Sequence, residues 1–404
     1  MNAAWGMICC RAVNVLLQRA FPAAALAVLL AAVTGISLAP AAEDSMDPAV
    51  SAKIDAIFSS AIEPNTPGAA VLVRRGGRDA FVRGYGVRDL QSMAKIDAHT
   101  NFRLASCTKQ FTAMAIMLLA HDGKLRYDQP LTDVFPDFPA YGKTITIRNL
   151  LNHISGLADY ESLMEQQERA GGARWSERNQ IQDAEVLDLL KHENQTQFAT
   201  GTKWAYSNSG YVLLGLVVAK MSGQTFSDFL HERIFAPLSM SGTLAFKKNK
   251  NAIANRAYGH SREGNEWKQT DQSSTSATLG DGGVYSSLAD LAKWDEALVH
   301  HTLLSENEMR AAFTPAKLAG GTEPKWPRDS DRPEGAPVAY GFGWFLDPYQ
   351  GHKRMWHYGD TRGFHTYIER FLDDRITIIV LCNRTDLNPE TLASNIADLY
   401  LPVY

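Results

Sequence analysis

The pattern that most constrains the fold is the placement of strand-like runs at both ends of the chain, with helix-like runs between them. Near the N-terminus, AAVLVRR and DAFVRGY flank a Gly76-Gly77 turn, which predicts a β-hairpin. From Ala339 onward, AYGFGWFLD, RMWHYG, FHTYIERFL and RITIIVLCN again have strand character, with Asp373-Asp374 joining the last two. We therefore expect an α+β protein in which both ends share one antiparallel sheet and a mostly helical lobe, about residues 125–300, is inserted.

Helix-like runs occupy the middle of the chain and its two ends. Residues 47–63 carry apolar side chains at near-helical spacing, and residues 111–123 are apolar almost all round, which predicts a buried helix. Further helices are predicted by four runs: TIRNLLNHISGL, DAEVLDLLKHE, YVLLGLVVAKMSG and TFSDFLHERIFAPL. Another predicted helix begins at Ser287, and a final one covers residues 389–401. Residues 160–182 and 317–337 are interpreted as surface loops.

The first 41 residues differ in composition from the rest of the chain. Arg11 and Arg19 precede an apolar run, residues 21–39, which ends in small residues. This layout is typical of a secretory signal peptide. An uncleaved membrane anchor is the alternative, because an apolar run of that length reaches across a bilayer. Either way, we expect residues 47–404 to be an exported domain, periplasmic or secreted.

Charge and cysteine content exclude several classes of protein. The chain has 40 Lys and Arg against 44 Asp and Glu and no basic block, which disfavours nucleic acid as a partner. Of its four cysteines, Cys9 and Cys10 lie in the leader, whereas Cys107 and Cys382 lie in apolar surroundings and are expected to be buried free thiols. One disulfide is the alternative for an exported chain. No Cys/His cluster has ligand spacing, so we expect no metal and no cofactor.

A serine and a lysine three residues apart open the predicted buried helix, at Ser106 and Lys109. Residues at this spacing share a helix face. A serine hydroxyl becomes a good nucleophile when a neighbouring base takes its proton, and a lysine whose pKa is lowered by burial can be that base. A second match, Ser92 and Lys95, lies in a polar stretch and is interpreted as an exposed loop.

Two later motifs add candidate site residues. Tyr206 and Asn208 precede the apolar helix YVLLGLVVAKMSG, and residues two apart in an extended segment project to one side. A nearby ammonium would lower the pKa of the phenol and make a phenolate base conceivable. His357 lies at the end of a predicted strand, and Gly359, two residues later, would let a ligand approach the backbone.

Together and in this order, Ser106-x-x-Lys109, Tyr206-x-Asn208 and His357-x-Gly359 resemble the active-site signature of the penicillin-recognising serine hydrolases. That family includes class C β-lactamases, D-alanyl-D-alanine carboxypeptidases and related esterases. LLNHISGLADY and GDGGVYSSLADLAKW resemble two further segments of the family. The resemblance covers the chain from about Asp47 to its end. It implies the β-lactamase/DD-peptidase-like fold, which agrees with the order of strands and helices.

The resemblance also implies roles for individual residues. Ser106 would be the nucleophile that forms an acyl-enzyme, and Lys109 and Tyr206 would share the general-base work in a division left open here. The substrate-binding set would be Asn208, His357, Gly359 and Asp360. Within it, Asn208 would orient Lys109 or a substrate amide, and His357 would contact the substrate. The backbone N–H groups of Ser106 and Asp360 would form the oxyanion hole.

The expected function is an exported serine hydrolase that cleaves a D-amino-acid peptide, an amide or an ester. Histidine at 357, where β-lactamases of the family usually have lysine, makes a strong β-lactamase doubtful, because imidazole is mostly neutral at pH 7. A non-turnover penicillin-binding or sensor-like module, or a weak β-lactamase, are the alternatives. An α/β-hydrolase and a zinc peptidase are excluded by the absence of Gly-x-Ser-x-Gly and His-Glu-x-x-His. The partner would be a small-molecule or peptide substrate, including one derived from the cell wall, with a membrane involved only if the leader is uncleaved.

Overall fold

Both ends of the chain meet in a five-stranded antiparallel sheet, ordered β2-β1-β10-β9-β8, in the computed structural model. The structure describes residues 47–172, 174–328, 330 and 332–402, so the predicted leader lies outside the described residues. The strands are β1 (Ala69–Arg75), β2 (Arg78–Tyr85), β3 (Phe102–Arg103), β4 (Leu244–Ala245), β5 (His260–Glu263), β6 (Glu266–Gln269), β7 (Val284–Ser286), β8 (Arg354–Thr361), β9 (Phe364–Phe371) and β10 (Ile376–Cys382).

Between β2 and β8 helices are the commonest regular structure, and one further helix precedes β1 while another follows β10. They are α1 (Pro48–Ser59), α2 (Lys109–His121), α3 (Leu131–Val134), α4 (Ile147–Leu151), α5 (Tyr160–Arg169), α6 (Asp183–Lys191), α7 (Asn208–Ser222), α8 (Phe226–Leu230), α9 (Leu288–Val299), α10 (Glu306–Met309) and α11 (Pro389–Tyr400). Two 3-10 turns, Ala105–Thr108 and Ala140–Thr144, and one π turn, His231–Phe235, complete the set in the described ranges. The predicted α+β fold is confirmed, whereas the exact limits of the inserted lobe stay a prediction.

The central strands β1 and β10 are buried on both faces, and their apolar side chains divide between two cores. Leu72 of β1 and Ile379 of β10 belong to the core shared with α2 and α7, on the side of the helical lobe. Val71 and Val380 belong to the core shared with α1 and α11 on the opposite side. Because side chains alternate along a strand, one run of apolar residues serves both layers.

A buried ion network attaches α9 to the sheet. The Asp295 carboxylate of α9 accepts hydrogen bonds from Arg74 at 2.8 Å, from Arg370 at 2.7 Å and from Thr377 at 2.7 Å. These partners belong to β1, β9 and β10, and Asp295 is only 4% exposed. Ionised groups are retained in such a place because each charge is paired and hydrogen-bonded.

Three features of the fold differ from the sequence-based expectations. AYGFGWFLD was expected to be a strand, but it forms a tight loop with only isolated bridges, because Gly343 adopts φ +78° and packs on the backbone of α2. TIRNLLNHISGL yields only the short helix α4, because the backbone turns at His153, where φ is +58°. Part of the predicted loop 160–182 is instead α5, which is capped by Asp159.

Two expectations about individual segments can be checked directly. Cys107 and Cys382 are buried free thiols, as predicted. Ser92 and Lys95 are exposed, and each bonds other groups, Ser92 to Asp89 and Lys95 to Pro64 and Asn65, so this pair is a surface feature. No helix in the described part of the chain is both long and apolar enough to cross a membrane.

Candidate active site

Ser106 lies in the 3-10 turn between β3 and α2 and is the only residue of the stretch 101–119 that is not buried. The preceding residue, Ala105, has φ +46°, in the left-handed region. Such a conformation costs about 1–3 kcal/mol for a residue with a side chain and is typical of functional turns. The turn therefore holds one hydroxyl at the surface of an otherwise buried segment.

Lys109, the first residue of α2, has no exposed surface and points its amine at three oxygens. Its Nζ lies 3.0 Å from Ser106 Oγ, 2.9 Å from Asn208 Oδ1 and 3.0 Å from the backbone oxygen of Asp281. Two of these oxygens can only accept hydrogen bonds. They match the two N–H groups of a neutral amine, whose lone pair then faces the serine hydroxyl.

Burial lowers the pKa of Lys109 to about 8, because removal from water penalises the ammonium form. The negative charge of Asp281, followed by that of Asp159, opposes this shift and keeps the pKa from falling further. A fraction of the lysine is therefore neutral near pH 7, and a neutral amine can accept a proton from Ser106.

The loop that carries Asp281 is fixed from several directions. Thr112 of α2 donates a hydrogen bond to the backbone oxygen of Gly280 at 2.6 Å, and Thr108 accepts one from the backbone of Val284 at 3.0 Å. Asp183 accepts one from the backbone N–H of Leu279 at 3.0 Å. The Asp281 oxygen that receives Lys109 therefore has little freedom to move.

Tyr206 and Asn208 reach the site because α7 begins between them. Ser207 is the N-cap of α7, accepting a hydrogen bond from the backbone of Gly210, and Asn208 is the first helical residue. The amine of Lys109 lies 4.8 Å from the centre of the Tyr206 ring. The structure thus brings Ser106, Lys109, Tyr206 and Asn208 together, as the sequence predicts.

The hydroxyl of Tyr206 is buried beside the side chain of Ser106, and their hydrogen-bonding interaction acts on the pKa of the phenol. Burial raises its pKa well above 10, and nearby Tyr358 adds to the effect, while Ser106 opposes it. A buried phenol of this kind keeps its proton, so the phenolate base considered from the sequence is disfavoured.

His357 lies in β8 with no exposed surface, and both ring nitrogens are engaged within the protein. Nδ1 lies 2.6 Å from the backbone oxygen of Tyr358 and therefore carries the proton, while Nε2 accepts a hydrogen bond from the hydroxyl of Tyr340 at 3.1 Å. Burial, followed by the charge of Lys109, lowers the pKa of His357 to about 3. The imidazole is therefore neutral and turned into the protein, so the substrate contact expected from the sequence stays a prediction.

Gly359 lies directly against the segment that leads to the nucleophile. A Cβ at this position would lie 2.1 Å from the backbone oxygen of Leu104. Thr366 of β9 donates to the same oxygen at 2.9 Å, and the thiol of Cys107 donates to the backbone oxygen of His357 at 3.3 Å. Gly359 thus allows the close approach of the protein's own backbone, and the ligand contact expected from the sequence stays a prediction.

Asp360 is placed so that its backbone faces the free edge of the sheet. At the start of β8, Trp356 exchanges both backbone hydrogen bonds with Phe345, on the side away from β9. Since alternate residues of an antiparallel strand direct their backbone groups to the same side, Asp360 directs its N–H to that side too. Its side chain is exposed and pairs with His365 at 2.9 Å.

Several residues of the site were not assigned a role from the sequence. His153 and Asp281 lie in LLNHISGLADY and GDGG, two segments that resemble those of the family, and this resemblance is the sequence feature that points to them. Tyr340 had no signal, because it belongs to the run that was misassigned as a strand.

Comparison with known proteins agrees with this geometry. The sequence profile of the Beta-lactamase family matches residues 49–401. The chain belongs to this family. It is 30% identical over 347 residues to "Penicillin-binding protein 4*" of Bacillus subtilis (strain 168), covering 82% of this chain and 72% of that protein. It is 28% identical over 319 residues to a "D-aminopeptidase" of Brucella canis, covering 78% of this chain and 56% of that protein.

Solved structures show the same fold. The D-amino acid amidase of Ochrobactrum anthropi SV3, in its complex with L-phenylalanine amide, superposes with a TM-score of 0.71 at 23% identity, covering 87% of this chain and 98% of that chain. The octameric penicillin-binding protein homologue of Pyrococcus abyssi gives a TM-score of 0.70 at 24% identity, covering 87% of this chain and 76% of that chain. The protein thus has the β-lactamase fold and belongs to a family of serine hydrolases.

Proposed function

We propose that this protein is an exported serine hydrolase that cleaves D-amino-acid amides, short peptides or esters through an acyl-enzyme on Ser106. The observation that carries the proposal is the placement of the Lys109 amine 3.0 Å from the Ser106 hydroxyl, in a buried position that lowers its pKa to about 8. This combination supplies a nucleophile and its base in one turn of the chain.

In acylation, neutral Lys109 takes the proton of the Ser106 hydroxyl while Oγ attacks the substrate carbonyl. The backbone N–H groups of Ser106 and Asp360 stabilise the negative charge on the carbonyl oxygen, a type of interaction that contributes about 3–4 kcal/mol in such sites. Asn208 keeps the amine oriented through its 2.9 Å hydrogen bond. The bond between the carbonyl carbon and the leaving group then breaks.

The leaving nitrogen or oxygen needs a proton, and we assign its delivery to Tyr206. Its hydroxyl retains its own proton, and the Lys109 amine, which carries the proton from Ser106, lies close to its ring. Tyr206 gives its proton to the leaving group and takes the one held by Lys109. In deacylation, water attacks the ester and the protons move in the reverse direction, which regenerates Ser106.

The names of two relatives support the D-amino-acid substrate class. The sequence similarity to a D-aminopeptidase covers most of this chain, and the amidase shares the fold. The neutral His357 supports the view that β-lactams are poor substrates, since the site lacks a cation at that position to hold their carboxylate.

A stable acyl-enzyme without turnover is the second candidate. The similarity to Penicillin-binding protein 4* favours it, since that protein is named for binding rather than for hydrolysis. The two candidates share the acylation step and differ in whether water removes the acyl group.

A substrate panel tests the proposal. Purified protein is incubated with D- and L-phenylalanine amide, a D-Ala-D-Ala peptide, a short-chain p-nitrophenyl ester and a chromogenic cephalosporin, with Ser106→Ala as the matched control. We expect turnover of the D-amide and the ester, slow turnover of the cephalosporin, and none in the control. Labelling by a fluorescent penicillin without turnover of any amide, peptide or ester would instead establish the binding module.

Export is the part of the proposal that rests on the sequence of the leader. Expression of the full chain in a Gram-negative host, followed by fractionation, tests it directly. We expect a shortened protein, cleaved near Ala41, in the periplasm or medium. Full-length protein in the membrane would indicate the anchor, and protein confined to the cytoplasm would contradict export.

A further inference from the structure

His153 occupies an unusual position at the end of the short helix α4. It has φ +58° and no exposed surface. A side chain in the left-handed region is uncommon, and histidine is among the residues that tolerate it. The turn carries the imidazole away from α4 and toward the segment before α7, where Tyr206 lies.

The contacts of His153 bracket Tyr206 on both sides. The backbone N–H of Ala205 donates to the backbone oxygen of His153 at 3.0 Å, and the backbone N–H of Ser207 donates to its ring nitrogen Nδ1 at 3.0 Å. In addition, the imidazole ring lies 4.4 Å from the Tyr206 ring, centre to centre, at an angle of 32°. One residue therefore fixes the backbone before and after Tyr206 as well as one face of its ring.

These contacts require a neutral imidazole. Nδ1 can accept from Ser207 only when it carries no proton, which places the proton on Nε2. Burial lowers the pKa of His153 well below 6.5, and the charge of Lys109 acts in the same direction. The surroundings of His153 thus keep its imidazole in the neutral form that the hydrogen bond from Ser207 requires.

We propose that His153 is a positioning residue that holds the Tyr206 hydroxyl in place to deliver a proton to the leaving group. This inference rests on the proposed function, because it assigns to His153 a share in the step given to Tyr206. His153 touches neither Ser106 nor Lys109 through any hydrogen bond in the described part of the chain. Its ring also packs against Tyr211 and Tyr340, and Tyr206 is the residue with an assigned step in the reaction that it contacts directly.

A role of this kind predicts a loss that depends on the leaving group. An amine leaves only with a proton, whereas p-nitrophenolate leaves without one. Displacing Tyr206 should therefore lower kcat for an amide far more than for a p-nitrophenyl ester, with little change in KM. A merely structural defect would lower both activities alike.

The experiment compares His153→Leu with the matched variant His153→Asn. Asparagine places an amide oxygen near the position of Nδ1 and tolerates a positive φ, so it keeps the acceptor for Ser207. His153→Gln places its amide farther out and should behave like His153→Leu. Each is assayed for kcat and KM on D-phenylalanine amide and on p-nitrophenyl acetate, alone and combined with Tyr206→Phe.

We expect His153→Leu and His153→Gln to lose about tenfold or more in kcat on the amide, which is part of the roughly hundredfold or larger contribution of a general acid, while the ester rate falls much less. His153→Asn should retain most of the amide activity. Combined with Tyr206→Phe, His153→Leu should add little further loss, since both act on one step.

Equal losses on both substrates, or losses that multiply in the double variant, would overturn the role of His153. An unchanged amide rate in His153→Leu, together with a lowered rate in Tyr206→Phe, would overturn it and leave the proposed function standing. An unchanged amide rate in Tyr206→Phe would remove the proton route itself, and the role of His153 with it.

Discussion

The amine of Lys109 lies 3.0 Å from the hydroxyl of Ser106, and it is held there by two oxygens that can only accept hydrogen bonds. The fixed acceptors, from Asn208 and the Asp281 backbone, saturate the N–H groups of the neutral amine. The structure therefore suits the neutral form of Lys109 as well as it suits the charged form, which is what a general base beside a serine requires.

The pH dependence of acylation should follow Lys109. Because the neutral amine is the base, kcat/KM should rise with pH, with a midpoint at about 8, and level off above it. Asp281→Asn removes the largest charge that raises the pKa of Lys109, so it should move the midpoint to lower pH. Its amide oxygen can still accept from Tyr160.

A pH profile of ester hydrolysis measures both midpoints. Asp128→Asn is the matched control, since Asp128 is exposed, and its midpoint should equal that of the unmodified protein. A midpoint above 10, the ordinary range of a lysine, or an unmoved midpoint in Asp281→Asn, would contradict the assignment.

Tyr206→Phe should reduce turnover of a D-amino-acid amide by two orders of magnitude or more, a typical contribution of a general acid. Phenylalanine keeps the ring that packs against His153 and loses only the hydroxyl, so the fold should be unchanged. Single-turnover rates on the amide, with a thermal melt as the control, measure the effect. An amide rate close to that of the unmodified protein would show that another group supplies the proton.

Gly359→Ala should disrupt the site although Gly359 bears no functional group. The added Cβ would collide with the backbone oxygen of Leu104, so either β8 or the Ser106 turn must move. We expect slower labelling of Ser106 and a lower Tm. Gly210→Ala is the control: in α7 the nearest atom lies 3.5 Å away, and the change should stabilise the protein by about 0.4–1 kcal/mol. Unchanged labelling and Tm in Gly359→Ala would refute the close approach.

Asp295→Ala should destabilise the fold strongly, because it leaves the buried guanidinium of Arg370 without its carboxylate partner, whereas Arg74 keeps its ion pairs with Asp79 and Glu296. Breaking one partner of a buried ion pair typically costs about 3–5 kcal/mol. Urea unfolding measures the change in the free energy of unfolding. Asp128→Ala breaks the exposed pair with Arg126 and should cost less than about 1 kcal/mol. Equal values for the two variants would show that the network is not important for stability.

The sequence predicts the architecture and the main site residues because both are encoded locally. The strands β1 and β10 have the apolar and β-branched composition of buried strands, and α2 and α7 are long and apolar. Ser106 and Lys109 share a face because they are three residues apart, and Tyr206 and Asn208 adjoin a clear helix start. These relations depend only on residues that are close together in the sequence.

The state of His357 could not be predicted, since it depends on contacts between distant segments. Its neutral form follows from complete burial and from the charge of Lys109, and its ring is held by Tyr340, which lies in the loop misassigned as a strand. That loop forms because Gly341 and Gly343 allow close backbone contacts, with Ala312 and with α2 respectively. A pattern of alternating apolar residues carries no information about such contacts. The proposed role of His153 could not be predicted either, because its partners lie more than fifty residues away in the sequence.

Peptide mapping by mass spectrometry after reaction with a fluorophosphonate tests the central claim most directly, because it locates the nucleophile and measures its activation. We predict one adduct, on the peptide that contains Ser106, absent from Ser106→Ala and formed much more slowly in Lys109→Ala. An adduct on another serine, such as Ser92, or undiminished labelling in Ser106→Ala, would contradict the account.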